Sequence, residues 1–176
     1  MILKDKNILL AVTGSIAIYK SLELIRLFIK AGANVKVILS DGAKKFINPI
    51  TFEAISQNKV LDESSENWDK SQNYNHIDIT KWADILLIAP ATANTINKIS
   101  CGIADNLLLQ TVLACKKKII IAPAANTNMI ENPITTKSVN NLKNLGFEVL
   151  QTQTKELACK DVGSGAMLEP IDIFHK

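Results

Sequence analysis

Four groups of residues could do chemistry. Thr13-Gly14-Ser15-Ile16-Ala17 follows a short apolar run and opens a helical pattern. Gly14 lets the backbone come close to a ligand, Ser15 can cap the helix, and the free N–H groups of that helix start favour an anion, typically a phosphate. A plain capped βα turn fits the same residues. Gly14 stands alone, with no Gly-Lys-Ser/Thr and no GxGxxG around it, so neither familiar glycine fingerprint is present. Ser40, at the end of a second apolar run, could add a hydroxyl to the same phosphate. His76 precedes Ile77-Asp78-Ile79, and beside a cofactor its imidazole could act as a base or bind a carboxylate. A surface or helix-capping histidine fits as well. Cys159 stands in Leu157-Ala158-Cys159-Lys160-Asp161-Val162-Gly163-Ser164-Gly165, a polar, glycine-bearing stretch. An accessible thiol beside Lys160 would favour its thiolate, and a free surface cysteine is the alternative. Finally, Ile88-Ala89-Pro90-Ala91-Thr92-Ala93-Asn94-Thr95 is echoed by Ile121-Ala122-Pro123-Ala124-Ala125-Asn126-Thr127-Asn128. Each is the end of an apolar strand, then Pro, small residues and Asn.

The elements that must position these groups follow from periodicity. Strands are expected at 7–12, 35–39, 83–89 and 118–122, the last two stopped by Pro90 and Pro123, with a final strand at 147–150. Helical spacing runs over 16–29, where Ile18, Leu22, Ile25 and Ile29 recur at three and four, and ends at Gly32. Further helices are expected at 46–57, 76–82, 95–115 with a break near Gly102, and from Asn132-Pro133 to Gly146, with 62–75 a surface loop. Continuous apolar strands alternating with helices imply a doubly wound, Rossmann-like α/β domain: a parallel sheet with helices on both faces. In such a sheet ligands bind beyond the carboxyl ends of the strands, so the two Asn-bearing turns and the Gly14-Ser15 turn wall one pocket. One domain over 1–176 is expected, with a flap around 153–168.

Composition narrows the classes. With 176 residues, 47% hydrophobic and 21% charged, the chain is an ordinary globular domain. The apolar run Ile85 to Ala89 is far too short to cross a membrane. Met1 to Lys6 lacks a signal-peptide apolar region, so a cytoplasmic location is expected. A net charge of +3, one basic run at Lys116-Lys117-Lys118 and 5% aromatic residues argue against a nucleic-acid surface. Three cysteines without CxxC spacing argue against a disulfide framework or a metal site. Cys115 shares a helical face with Leu108 and Val112 and is expected in the core, and Cys101 in a helix break is expected to be structural.

Six segments occur in an order that resembles a known family: Gly14-Ser15-Ile16-Ala17-x-Tyr19-Lys20, His76-Ile77, Pro90-Ala91-Thr92-Ala93-Asn94-Thr95, Gly102-x-x-Asp105-Asn106-Leu107-Leu108, Pro123-Ala124-Ala125-Asn126-x-x-Met129 and Leu157-Ala158-Cys159. Together they resemble the homo-oligomeric flavin-containing cysteine decarboxylases, most closely the branch serving coenzyme A biosynthesis. The resemblance implies bound FMN and conversion of 4'-phosphopantothenoylcysteine to 4'-phosphopantetheine and carbon dioxide through a thioaldehyde and an ene-thiolate. It implies a trimer with active sites between subunits, often built into dodecamers, and a phosphopantothenate–cysteine ligase partner, as a domain or a separate chain.

The same resemblance assigns roles. Gly14, Ser15, Ile16 and Ser40 would hold the FMN phosphate, and Thr92, Ala93, Asn94, Thr95 and Ala124 would line the flavin. His76 would be catalytic, Cys159 the proton donor, and Asn126 the ligand of the substrate carboxylate, with Ala158 and Lys160 also at the substrate. Three positions depart from the family pattern. Ala125 stands for a usual Met, Lys160 for a Gly and Ala166 for an Arg, with Lys160 a candidate to replace that charge. Two other readings share the fold: a peptidyl-cysteine decarboxylase of the lantibiotic type, against which Cys159 argues, and a non-enzymatic regulatory subunit, against which His76, Asn126 and Cys159 together argue.

Overall fold

The computed structural model describes residues 1–65, 75–156 and 162–176. Five strands form one parallel sheet: β1 (Asn7–Val12), β2 (Asn34–Leu39), β3 (Ile85–Ala91), β4 (Lys118–Pro123) and β5 (Glu148–Val149), in the order β2-β1-β3-β4-β5. Side chains alternate across it, as a pleated strand requires. From β1, Ile8, Leu10 and Val12 enter one apolar cluster, and Leu9 and Ala11 enter the other. β3 divides the same way, Leu87 and Ala89 against Leu86 and Ile88, and β4 divides Ile120 and Ala122 against Ile119 and Ile121. Both faces are therefore covered, which is why these strands read as unbroken apolar runs.

On the first face lie α1 (Tyr19–Lys30), α3 (Pro49–Ser56) and a terminal α9 (Pro170–Phe174). Ile25, Phe28 and Phe52 fill the layer beneath them, and Phe174 packs tilted on Phe28 with ring centroids 5.6 Å apart. On the second face α4 (His76–Trp82) packs on α6 (Leu107–Ala114), and α5 (Ala93–Ser100) on α8 (Pro133–Asn144). Short α2 (Asp41–Lys44) and α7 (Thr127–Ile130) begin right after β2 and β4.

The helix starts are chemically specified. Asn48, Asn75, Thr92, Asn106, Asn126 and Asn132 each accept a backbone N–H of the helix they open, and Pro49 and Pro133 occupy first turns. This corrects several boundaries. The helix expected from Phe46 waits for the Asn48 cap and starts at Pro49. The helix expected over 16–29 begins as a 3-10 turn at Ile16–Ile18 and becomes α-helical at Tyr19. The helix expected over 95–115 splits into α5 and α6 around Gly102, whose φ is +70°. Pro90 does not end its strand, since β3 runs through a cis Ala89–Pro90 bond to Ala91, whereas β4 does end at Pro123, as expected.

After β5 the chain forms an antiparallel pair, β6 (Gln153–Glu156) with β7 (Val162–Ala166), where only a flap was expected. The residues joining them, 157–161, lie outside the described structure, as does 66–74. Among the described residues no helix is long and apolar enough to cross a membrane, and no group of His, Cys, Asp and Glu could hold a metal. Cys115 packs half-buried against the second cluster, as expected, while Cys101 is exposed.

Candidate functional site

The order β2-β1-β3 places a topological switch between β1 and β3, where chains leave in opposite directions and open a crevice at the carboxyl edge. Thr13 stitches the two strand ends across it. Its hydroxyl donates to the Pro90 carbonyl at 2.7 Å and accepts from Thr92 N at 3.0 Å. The echo after β4 is tied in beside them, Ala124 N donating to Ala91 O at 2.9 Å. Ser40 N donates to Val12 O at 3.1 Å, so four turns meet at one edge.

They line a cavity of about 570 Å³. Three capped turns point into it. Ser15 Oγ accepts from Ala17 N, Ser40 Oγ from Ala43 N, and Thr92 Oγ1 from Thr95 N. Gly14 and Gly42, from the first two turns, touch each other: a Cβ built on Gly14 would lie 2.8 Å from the Gly42 carbonyl carbon. Two helix starts are thereby held side by side, with backbone N–H groups and two serine hydroxyls to offer an anion. Apolar or small residues make up much of the remaining wall, including Phe46, Ala93, Leu108, Leu109 and Ala124, with Asn94, Asn106, Asn126 and the Asp105-paired Lys98 among its polar members. A phosphate-bearing planar aromatic group fits this donor set and these walls. The carboxylates on the rim are engaged, Asp41 with Lys44 at 2.7 Å and Glu63 with the N–H of Leu107.

Every residue expected to hold the cofactor lines this one cavity: Gly14, Ser15, Ile16, Ser40, Thr92, Ala93, Asn94, Thr95 and Ala124, with Asn126 beside them. Asn126 caps α7, its Oδ1 accepting from Asn128 N at 2.9 Å. His76 sits elsewhere. It is half-buried at the first position of α4 and is not among the residues lining this cavity. Cys159, Ala158 and Lys160 lie outside the described residues.

A second cavity of about 640 Å³ adjoins the first and shares Ser15, Ile16 and the turn Ala124–Asn126 with it. Its other wall is the start of α1 and the β6–β7 hairpin, and the altered positions Ala125 and Ala166 both face it. The hairpin is seated by main chain. Ala125 N donates to Gly165 O at 3.0 Å, and a Cβ on Gly165 would fall 1.8 Å from Ala125 O. Behind the hairpin, Lys20 is 7% exposed and donates to Met167 O at 2.9 Å and to Glu169 at 3.1 Å. Glu169 also takes Lys155. The hydrogen bond from Lys155 holds its carboxyl below the ordinary value; burial opposes this and Lys20 adds to it. Sequence reasoning missed the roles of Thr13, Glu169 and Lys155. Thr13 had a signal, since it directly precedes the glycine of the turn.

Comparison with known proteins agrees with this geometry. A family model described as Flavoprotein matches residues 2–176. A protein of Streptococcus mutans named "Probable phosphopantothenoylcysteine decarboxylase" is 42% identical over 173 residues, which cover 97% of this chain and 96% of that one. The "Coenzyme A biosynthesis bifunctional protein CoaBC" of Bacillus subtilis is 40% identical over 97% of this chain, which spans only 42% of it. Among solved structures, a PPC decarboxylase mutant complexed with pantothenoylaminoethenethiol aligns at 32% identity and a TM-score of 0.86, covering 98% of this chain and 96% of the other. "The FMN binding protein AtHal3" aligns at 34% identity and a TM-score of 0.86, covering 98% and 94%. With the match running from residue 2 to residue 176, the chain belongs to the flavoprotein family, among the flavin-dependent cysteine decarboxylases.

Proposed function

We propose that this chain is the FMN-dependent decarboxylase that converts 4'-phosphopantothenoylcysteine to 4'-phosphopantetheine and carbon dioxide in coenzyme A biosynthesis. The observation that carries the reading is the pair of adjoining cavities that share the Ala124–Asn126 turn, one built for a phosphate-bearing cofactor and one open beside it for a substrate. Cofactor and substrate then meet at Asn126. The peptide-directed alternative is less well supported: the peptidyl-cysteine decarboxylase EpiD aligns at 28% identity and a TM-score of 0.80.

A cysteine-derived carboxylate has no neighbouring group to absorb the electrons left by departing carbon dioxide, and FMN, when bound, supplies reversible hydride chemistry at the cysteinyl carbon. Gly14, Ser15, Ile16 and Ser40 hold its phosphate, and Thr92 to Thr95 with Ala124 line its ring. Asn126 holds the carboxylate by neutral hydrogen bonds, without a positive charge that would resist its loss. Cys159 delivers a proton to the product from a flap carried by the β6–β7 hairpin, with Ala158 and Lys160 beside it. His76, outside the cavity of its own chain, completes the site of a neighbouring subunit in a trimer, alone or within a dodecamer. The enzyme works in the cytoplasm, alongside a phosphopantothenate–cysteine ligase supplied as a domain or a separate chain.

The test is mass spectrometry of the product formed from 4'-phosphopantothenoylcysteine by the flavin-loaded protein. Loss of carbon dioxide alone is expected. Loss of carbon dioxide and two further hydrogens would show that the return of hydride fails. No reaction would sink the assignment.

A further inference from the structure

In the second cavity one carboxylate serves two ammonium groups. Glu169 Oε1 receives both Lys20 and Lys155. Lys20 is the fixed partner: it is buried on α1 and holds the Met167 carbonyl as well. Lys155 is the exchangeable one. It lies on β6 with its side chain 47% exposed and faces the cavity beside Tyr19, itself 60% exposed. Among the described residues, the exposed Asp172 of α9 is the other carboxylate that acts on Lys155, and it already accepts from Gln153 at 3.5 Å. If Lys155 leaves, Glu169 keeps Lys20, so no buried charge is stranded. Lys155 is therefore a cation that can be lent to a ligand.

Its place relative to Asn126 is set by the hairpin. Lys155 pairs in register with Gly163, two residues along β7 from Gly165, and Gly165 abuts the carbonyl of Ala125. Two strand residues span about 7 Å, and an extended lysine side chain adds a comparable reach. One end of the cavity thus offers a neutral amide and the other a mobile ammonium with a phenol hydroxyl beside it. The proposed substrate is built the same way, with a carboxylate at its cysteinyl end and a phosphate monoester dianion at the far end of a flexible arm.

Resting on the proposed function, we infer that Lys155, with the Tyr19 hydroxyl beside it, recognises the distal phosphate monoester of the substrate, exchanging Glu169 for the phosphate when the cavity fills. Lys155 is then a specificity-determining residue at the end of the substrate remote from the chemistry.

The test compares kcat/KM of the FMN-loaded enzyme on 4'-phosphopantothenoylcysteine and on its dephosphorylated counterpart, for the wild type, Lys155→Met and Lys155→Arg. In Lys155→Met the preference for the phosphorylated substrate is expected to fall about tenfold, the scale of one charge-assisted hydrogen bond at a half-exposed site, and to fall through KM. Lys155→Arg restores most of it. Flavin absorbance confirms that each variant is folded and loaded. If both substrates lose equally, Lys155 only props the hairpin and the inference is overturned; an unchanged preference overturns it too. A wild-type enzyme that turns over neither substrate overturns the proposed function and this inference together.

Discussion

Replacing Gly165 by alanine tests how the hairpin is seated. The new Cβ would stand 1.8 Å from Ala125 O, 2.9 Å from Ala125 C and 3.2 Å from Asn126 C. Carbon and oxygen settle at roughly 3.3 Å or more, so β7 must withdraw by about 1.5 Å. That stretches the 3.0 Å bond from Ala125 N to Gly165 O beyond hydrogen-bonding range, at about 1 kcal/mol. Holding the hairpin in place is not open, because both Ala125 O and Ala125 C are backbone atoms that a Cβ cannot approach this closely. Lifting is open, because β6 and β7 pair with each other and belong to a sheet separate from the five parallel strands. The expected loss of stability, about 1–2 kcal/mol, lowers Tm by about 2–8 °C in a domain of this size. FMN should remain bound, since among the described residues none of β7 lines the first cavity. Catalysis should suffer far more, because a displacement of about 1 Å at a site of proton delivery can cost about a hundredfold in rate. The assay is product formation by mass spectrometry, with flavin absorbance and a thermal melt on the same preparation. Wild-type kcat/KM in Gly165→Ala would refute the reasoning, and so would loss of the flavin.

Gly14→Ala places a methyl 2.8 Å from the Gly42 backbone and pries apart the two helix starts, so FMN affinity should fall at least about tenfold in a fluorescence titration. Glu169 lies below its ordinary value of 4.5 through Lys155, against burial and with help from Lys20. Its contribution to stability is therefore present above pH 4.5 and lost as pH falls through the lowered value. The Tm difference between wild type and Glu169→Gln should accordingly be constant near neutrality and shrink on acidification below that point. If His76 serves a neighbour's cavity, separately inactive His76→Asn and Asn126→Ala proteins should regain activity when their subunits are mixed and reassembled; no recovery would place His76 in its own chain's site.

The parallel sheet was legible because burial on both faces leaves no alternation to misread. Leu9 and Leu10 point to opposite clusters, and both are fully buried. The residues lining the first cavity were legible for another reason: small and capping residues follow several strands, and the carboxyl ends of such strands open on one crevice. The hairpin was hidden because Gln153 to Lys155 is polar and β7 is rich in glycine, so neither strand shows a hydrophobic period. Their pairing is stabilised by docking on the distant Ala125 and Lys20, which local pattern cannot report. α9 is five residues long, and its reason for folding is Phe174 on Phe28, again a remote contact. Strand ends placed at Pro90 and Pro123 followed the general rule that proline lacks a donor; β4 does end at Pro123, while β3 continues through Pro90 to Ala91. Periodicity places His76 at the start of α4 but does not tell which cavity that helix start borders.

The join between Gly165 and Ala125 has a consequence for how this scaffold can change. Main-chain atoms make the join, so the neighbouring side chains are free of that duty. Positions 125, 155 and 166 all face the second cavity, and none of them supplies a side chain to the bond that seats the hairpin. They form a set of interchangeable fittings on a fixed frame. A library randomised at those three positions, with Gly165 retained, should yield many folded, flavin-loaded proteins whose substrate ranges differ, which makes this seam the place to begin when redirecting the enzyme to new thiol acids.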